Sequence, residues 1–173
     1  MRNLVLIGFM GSGKTTLGRL CAAHLGFIFR DSDHLIEETA GCSIAELFTR
    51  VGESQFRQKE RAAIADLSAT SGLVIATGGG AVLDPVNREN LRRNGLVVLL
   101  HASPDLILRR VGNARTRPLL ANAPDPRARI EELLEQRLPL YRQAAHCQVD
   151  TNGRSSREVV QQIVMLYELT IDI

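Results

Sequence analysis

The sequence predicts an α/β protein, with a parallel sheet of about five strands and helices on both faces. Two observations lead to this prediction: short apolar runs recur along the 173 residues, and segments with helix start and stop signals separate them. The runs occupy residues 4–7, 27–29, 73–76, 96–100 and 147–149. Runs this short, bounded by Gly, Asp or Ser, are typical of buried parallel strands. The length is that of one domain, so we expect residues 1–173 to form a single domain.

Helix punctuation lies between these runs. Ser43 and Glu46 have the spacing of a capping box, before a helix that Gly52 is placed to end. Three more helix starts pair an N-cap residue with proline at the first helical position: Asp84-Pro85, Ser103-Pro104 and Asp125-Pro126. Three glycines are placed to end predicted helices at their C-termini: Gly26, Gly41 and Gly95.

Residues 112–125 break this alternation. The segment contains a glycine, two prolines and no clear period, and long irregular segments inside compact domains are usually functional. We expect it to form a mobile lid. Four arginines lie within nine residues around its start: Arg109, Arg110, Arg115 and Arg117. Such a cluster is elsewhere a solvated basic patch or a nucleic-acid contact. The chain also carries a phosphate-binding motif, Gly8 to Thr15, so the phosphates of a bound nucleotide are the better target here.

Composition narrows the possible partners. Aromatic residues make up only 4% of the chain and Trp is absent, so stacking on single-stranded nucleic acid is not expected. The formal charge of +2 says little about partners. No run of 18 or more apolar residues occurs, so we expect no membrane span. We therefore expect a cytoplasmic monomer that binds neither nucleic acid nor membrane.

The cysteines have neither metal-ligand nor disulfide spacing; they are Cys21, Cys42 and Cys147. Cys21 shares a predicted helical face with Leu17, Leu20 and Leu25, so we interpret it as a core residue.

The first apolar run leads into a glycine-rich motif. Residues Gly8 to Thr15 match the phosphate-binding pattern G-x-x-x-x-G-K-S/T in full, between a predicted strand and a predicted helix. Glycines let backbone N–H groups surround phosphate oxygens, and the positive end of the following helix faces the anion. Lys14 is placed to reach the β- and γ-phosphates of ATP, and the Thr15 hydroxyl to bind Mg²⁺. The predicted phosphate contacts are Gly11, Ser12, Gly13, Lys14, Thr15 and Thr16.

The motif alone is shared by GTP switches, ATPases and small-molecule kinases. A switch GTPase also needs the guanine-reading pattern N-K-x-D, which is absent. The single D-x-x-G, Asp150 to Gly153, lies too far along the chain to be a switch element. A regulatory GTPase is therefore disfavoured.

Two carboxylates follow the second predicted strand. Asp33 by itself has the sequence context of a helix N-cap. Ligands of doubly wound sheets collect at the carboxyl ends of strands, however, so Asp31 and Asp33 are expected near the phosphates. No acid follows the third strand, where Thr77 stands. Asp31 is then the best candidate for a Mg²⁺ ligand with Thr15, through water, and Asp33 for holding a hydroxyl nucleophile.

A run of three glycines, Gly78, Gly79 and Gly80, follows Thr77. The run is either a flexible turn or backbone left bare so that a substrate can approach its N–H groups. Arg57 has Glu60 three residues later, a spacing at which the carboxylate can orient the guanidinium. Arg137 lies near the end of a later helical segment.

Taken together, these residues resemble the shikimate kinase family over essentially the whole chain. The family's motifs occur here in order as Gly8 to Thr15, Asp31-Ser32-Asp33, Phe56 to Glu60, Gly78-Gly79-Gly80, Arg117-Pro118-Leu119-Leu120 and Arg137 to Tyr141. Each motif alone is weak, and the combination is highly specific.

The resemblance implies transfer of the ATP γ-phosphoryl group to the 3-hydroxyl of shikimate. Lys14, Asp33 and Arg117 would be catalytic, with Arg117 on the lid over the γ-phosphate. Arg57 and Arg137 would clamp the substrate carboxylate, with backbone contacts from the three glycines. Arg110 and Arg154 would lie near the adenine. An anionic substrate fits bidentate arginines.

The adenine loop, residues 150–155, departs from many relatives, which have a proline where this chain has Ser155 and Ser156. Nucleotide selectivity is the property that this change affects. Two alternatives remain open. Another small-molecule kinase, of gluconate or nucleoside-monophosphate type, would keep the phosphate loop and lid but is not expected to combine Asp31-Ser32-Asp33 with Phe56-Arg57 and the three glycines. A non-catalytic ATP-binding module should have lost Lys14, Asp33 or the lid arginine, and all of these are present.

Overall fold

The computed structural model describes residues 2–112, 120 and 123–171. Five strands form one sheet in the order β2-β3-β1-β4-β5, and every neighbouring pair is parallel. The strands are β1 Asn3–Ile7, β2 Ile28–Asp31, β3 Leu73–Ala76, β4 Gly95–His101 and β5 Cys147–Asp150. The predicted α/β class, strand number and strand positions are confirmed, with ends that shift by two residues at most.

The described residues form seven α-helices, of which six lie between strands along the chain and the last follows β5. They are α1 Lys14–Leu25, α2 Ser32–Ala40, α3 Ile44–Ala69, α4 Pro85–Arg93, α5 Pro104–Val111, α6 Pro126–Ala144 and α7 Ser156–Ile171. A short 3-10 helix, Ala81–Leu83, follows the glycine run.

Most of the predicted helix signals are confirmed. The Ser43–Glu46 capping box forms, and α3 is interrupted at Gly52, whose φ of 75° and ψ of 172° are not helical. Asp84, Ser103 and Asp125 each cap a helix that begins with proline. Gly26 and Gly41 end α1 and α2 in the left-handed conformation.

The prediction for Gly95 is wrong. Asn94 ends α4, and Gly95 is the first residue of β4. A side chain at Gly95 would place its Cβ 2.7 Å from Val5 Cγ2 and 2.8 Å from the Leu91 carbonyl. Close packing between α4 and β1 is therefore the reason for this glycine.

The sheet separates two hydrophobic cores. Side chains of β1 alternate between its faces, with Leu4 and Leu6 on one and Val5 and Ile7 on the other. The first face is covered by α1 and α7, and the second by α3, α4 and α6. Two smaller clusters lie under α2 with α3 and under α5 with α6.

Cys21 is fully buried in the α1–α7 core, beside Leu17, as predicted. Leu20 does not share that face, because it is 44% exposed. The buried residues of α1 are Leu17, Gly18, Cys21 and Ala22, so the apolar face turns away from Leu20. Among the described helices, none is long and apolar enough to cross a bilayer.

A cluster of polar side chains lies at the end of the sheet where the strands begin. The Asn3 amide donates to the Thr70 carbonyl at 2.6 Å and accepts from the Leu73 N–H at 2.9 Å. Asn94 donates to the Ser68 carbonyl at 3.2 Å. At the opposite end, where the strands finish, lie the glycine-rich loop after β1 and the carboxylates after β2.

Candidate active site

The glycine-rich loop runs from the end of β1 to the start of α1. Gly8, Gly11 and Gly13 have φ values of 146°, 74° and 99°, a region that side chains disfavour. The loop leads directly into the N-terminal end of α1, where backbone N–H groups point toward the loop. Lys14 Nζ donates to the carbonyls of Gly8 at 2.8 Å and Phe9 at 2.9 Å, which folds its side chain back along the loop.

Asp31 has two partners, one on each carboxylate oxygen. Its Oδ1 accepts from the Asp33 N–H at 3.0 Å and caps α2. Its Oδ2 accepts from the Thr15 hydroxyl at 2.9 Å. Although β3 lies between β2 and β1, this contact joins the end of β2 to the phosphate loop. The cap interpretation of Asp33 is therefore wrong, since Asp31 caps the helix.

Asp33 lies one residue inside α2 and its carboxylate is mostly buried. Its Oδ1 has no hydrogen-bond partner among the described residues. Burial, and the nearby carboxylates of Asp31 and Glu60, raise the pKa of Asp33 from 3.8 to about 6, against the lowering effect of Lys14. A buried carboxylate with an unused acceptor and a pKa near neutrality is suited to hold and deprotonate a hydroxyl.

The glycine run fits between this carboxylate and Arg57. A Cβ on Gly78 would lie 2.5 Å from Asp33 Oδ1, and one on Gly80 would lie 2.6 Å from Arg57 Nη1. Neither glycine has a positive φ, so close approach rather than turn geometry accounts for them. The Ser32 hydroxyl accepts from the Gly78 N–H at 3.0 Å and ties the run to α2.

Arg57 and Glu60 form an ion pair on α3, with 2.8 Å between Arg57 Nη1 and Glu60 Oε2. Glu60 is 1% exposed, and burial raises its pKa while Arg57 opposes that shift. Glu53 also contacts the guanidinium, at 3.1 Å. The predicted orientation of Arg57 by Glu60 is confirmed.

Arg137 reaches the same place from α6. Its side chain is 6% exposed, lies over the Phe9 ring and donates to the Gly79 carbonyl at 3.4 Å. Tyr141, one turn later, donates to the same carbonyl at 2.5 Å. Tyr141 was not among the predicted site residues, although its spacing of four residues places it on the same helical face as Arg137.

A cavity of about 520 Å³ extends from the phosphate loop past the two carboxylates toward α7. Most of the predicted nucleotide contacts line it: Gly11, Gly13, Lys14, Thr15, Thr16, Arg110 and Arg154. Ser12 is fully buried behind the loop. Six lining residues were not predicted as site residues: Met10, Leu17, Thr77, Thr151, Ser156 and Val159.

The two arginines at the far end of the cavity are held by other groups. Arg110 Nη1 donates to the carbonyls of Gly11 and Ser12, both at 3.2 Å, so it braces the phosphate loop. Arg154 donates to the Asp150 carbonyl at 3.3 Å and to Gln162 on α7. Both side chains nonetheless line the cavity.

The predicted lid falls largely outside the described residues, and Arg115 and Arg117 lie there. Leu120, the last residue of the Arg117 motif, is described and is 1% exposed. It packs in the cluster under α5 and α6, next to Phe9.

The family model described as shikimate kinase matches residues 10–168. The shikimate kinase of Caldanaerobacter subterraneus is 47% identical over 167 residues, with 96% of each chain covered. That of Thiobacillus denitrificans is 52% identical over 153 residues, covering 88% of this chain and 83% of the relative.

Solved structures give the same result. Shikimate kinase from Acinetobacter baumannii, in complex with shikimate, superposes with a TM-score of 0.93 at 40% identity, covering 98% of this chain and 94% of the other. A gluconokinase from Sinorhizobium meliloti, 19% identical with a TM-score of 0.61, covers 99% of this chain and 94% of its own. That second likeness concerns the fold alone.

Proposed function

The chain belongs to the shikimate kinase family, and we propose that the site described above performs that family's reaction in this protein. The γ-phosphoryl group of ATP is transferred to the 3-hydroxyl of shikimate, which gives shikimate 3-phosphate and ADP. The observation that supports this best is the position of Asp33. Asp33 lines the cavity beside the phosphate loop, its Oδ1 has no partner among the described residues, and it lies against the glycine run that Arg57 and Arg137 contact.

The phosphate loop holds the nucleotide in this proposal. Backbone N–H groups at the start of α1 bind the phosphate oxygens, and Lys14 exchanges its carbonyl partners for the β- and γ-phosphates. Positioning and charge neutralisation dominate the energetics of phosphoryl transfer, because its transition state is loose. Arg110 and Arg154 line the far end of the cavity, where the adenine of ATP lies.

Asp33 acts on the substrate hydroxyl. Its Oδ1 accepts a hydrogen bond from the 3-hydroxyl, aims that oxygen at the γ-phosphorus and takes up the proton as the new P–O bond forms. The raised pKa makes Asp33 a stronger proton acceptor than an ordinary carboxylate.

The substrate carboxylate is held by Arg57 and Arg137. The two guanidinium groups reach the glycine run from α3 and α6, on different sides. Glu53 and Glu60 keep the Arg57 fork fixed, so that its remaining donors meet a carboxylate in a defined plane. Backbone N–H groups of Gly79 and Gly80 complete the substrate contacts.

The oxygen atoms of Thr15 and Asp31 are suitable ligands for Mg²⁺. Mg²⁺ prefers oxygen ligands, keeps several waters, and is usually bound through one or two carboxylates plus the substrate phosphates. The Thr15 hydroxyl and the Asp31 carboxylate offer such oxygens 2.9 Å apart. No larger group of His, Cys, Asp and Glu in the described part of the chain could hold a metal. When bound, Mg²⁺ would neutralise charge on the phosphates, with Thr15 as a ligand and Asp31 acting through water.

Segment 112–125 is proposed as a lid that brings Arg117 to the γ-phosphate and excludes water from the transfer. This assignment rests on the Arg117-Pro118-Leu119-Leu120 motif. A single domain, a monomeric state and a cytoplasmic location likewise stay predictions from the sequence. Sedimentation equilibrium at micromolar concentration would test the oligomeric state.

An ADP-release assay over a panel of hydroxy acids tests the proposed function. With ATP and Mg²⁺, shikimate should be turned over far faster than quinate or gluconate. Preference for gluconate or for a nucleoside monophosphate would assign the chain to another small-molecule kinase. No ADP release with any acceptor, together with intact ATP binding, would identify an ATP-binding module instead.

A further inference from the structure

The carbonyl of Gly79 is fixed by two side chains of α6. The Tyr141 hydroxyl donates to it at 2.5 Å, and Arg137 Nη1 donates at 3.4 Å. Tyr141 is 1% exposed, and burial raises its pKa to about 12, so the hydroxyl keeps its proton at neutral pH. The shorter hydrogen bond, from Tyr141, sets the direction in which this carbonyl points.

The direction of the Gly79 carbonyl also determines that of the next N–H group. The described residues contain no cis peptide bond, and in a planar trans peptide the C=O and the following N–H point in opposite directions. The Gly80 N–H therefore points away from α6. Within the described part of the chain it donates to no group.

Gly80 also lies directly against Arg57. A Cβ at this position would stand 2.6 Å from Arg57 Nη1 and 2.7 Å from Nη2. The Gly80 backbone and the Arg57 guanidinium are therefore direct neighbours, and Glu53 and Glu60 hold the guanidinium in place.

We propose that Tyr141 is a positioning residue that aims the Gly80 N–H, beside Arg57, at the carboxylate of the bound acid. Arg137 uses one Nη1–H on the Gly79 carbonyl, and its other N–H donors are suited to the same carboxylate. The inference rests on the proposed function, because it takes the acid's carboxylate to lie between Arg57 and Arg137.

Tyr141→Phe tests this role, since it removes the hydroxyl and keeps the buried ring. Loss of one well-placed hydrogen bond should lower kcat/KM for shikimate about tenfold. The KM for ATP should change less than about twofold. The methyl ester of shikimate has no charged carboxylate, so its kcat/KM should fall much less. The ratio of kcat/KM for shikimate to that for the ester should therefore fall about tenfold.

Tyr167→Phe is the matched control. Tyr167 is also 1% exposed, and its hydroxyl donates to a backbone carbonyl, that of Arg2, far from the glycine run. The control should lose comparable stability while the shikimate-to-ester ratio stays at the native value. An equal fall for shikimate and ester in Tyr141→Phe would make Tyr141 structural and overturn the inference.

A second measurement does not depend on the variant folding. In ¹⁵N-labelled wild-type protein, the Gly80 amide proton should shift downfield with saturating shikimate and much less with the ester. A Gly80 amide that responds equally to both ligands would overturn the inference as well. Failure of the proposed function is distinguishable, because the wild-type protein would then not turn over shikimate at all.

Discussion

At the scale of single residues, Asp33 combines a raised pKa with a buried oxygen that has no hydrogen-bond partner in the described part of the chain. Asp33→Asn removes the charge and the proton acceptor, so kcat should fall about 10²-fold or more. ATP affinity should hold, because the phosphate loop is untouched. Initial rates and calorimetry would check both expectations. Asp66→Asn, at an exposed carboxylate of α3, is the control and should keep native kcat.

The same substitution should stabilise the folded protein. Because the folded-state pKa of Asp33 lies above its ordinary value, the folded protein binds the extra proton between about pH 4 and 6, and stability falls as the pH rises through that window. At pH 7.5, Asp33→Asn should therefore raise the free energy of unfolding by up to about 3 kcal/mol. Near pH 4 the difference should vanish. Urea unfolding at both pH values measures it, and equal stability at pH 7.5 would contradict the raised pKa.

Arg57 gives the second prediction at this scale. Arg57→Lys keeps the charge but loses the planar fork that Glu53 and Glu60 hold, so shikimate should bind about tenfold or more weakly. ATP should bind as before. Arg61→Lys is the control, since Arg61 lies on the same helix, is exposed and pairs with Asp84 at 2.7 Å. Equal weakening of both ligands in calorimetry would make Arg57 a structural residue.

At the scale of elements, the glycine run after β3 leaves no room for side chains at two of its positions. Gly78→Ala would place its Cβ 2.5 Å from Asp33 Oδ1, whereas a Cβ on Gly79 would meet Met10 N at 3.4 Å, an ordinary contact. Gly78→Ala should therefore cost about 1–3 kcal/mol of stability, and Gly79→Ala clearly less. Thermal denaturation of both variants would compare them. Equal melting temperatures would show that the run can move aside.

Arg117 belongs to the segment expected to cover the γ-phosphate. Arg117→Ala should lower kcat at least about tenfold, because a cation is lost from the transferring group. Arg115→Ala, two residues earlier and given no role by the resemblance, is the comparison. Steady-state rates with saturating substrates decide between them. Equal effects of both variants would argue for a general charge effect.

Local patterns of sequence predicted the elements well. Capping residues and prolines act over three or four residues, so Ser43 and Asp125 could be assigned as helix starts from the chain alone. Gly95 was misassigned because its reason is tertiary: β1 and α4 approach it from elsewhere in the chain. The contacts between Asp33 and the glycine run, and between Tyr141 and Gly79, are likewise long-range. Spacing along the sequence does not encode them.

At the scale of the whole molecule, α2 and the part of α3 up to Ala63 have a hydrophobic cluster of their own. The buried residues of this cluster are Ile36, Leu47, Phe56 and Ala63. Each of the two cores on the faces of the sheet contains many more buried residues. A unit with so little buried surface should open locally at low free energy. Amide hydrogens of α2 should therefore exchange faster than those of α7.

Shikimate should slow amide exchange in α2. Asp33 lies on α2 and Arg57 on α3, so a ligand bound to both stabilises this unit against opening. Hydrogen exchange followed by mass spectrometry, with and without shikimate, checks both parts. Unchanged exchange in residues 32–40 on ligand binding would contradict the prediction.

All five strands finish at the end of the sheet that holds the site. At the other end, where they begin, Asn3 and Asn94 make hydrogen bonds to backbone carbonyls. A strand of five residues separates the two ends of the sheet by about 16 Å. Ser71 is exposed at the end where the strands begin. A dye or a tether joined to the protein at that position would leave the entrance for ATP and acid clear. The parallel sheet thus gives this enzyme one side for chemistry and one side by which it can be held.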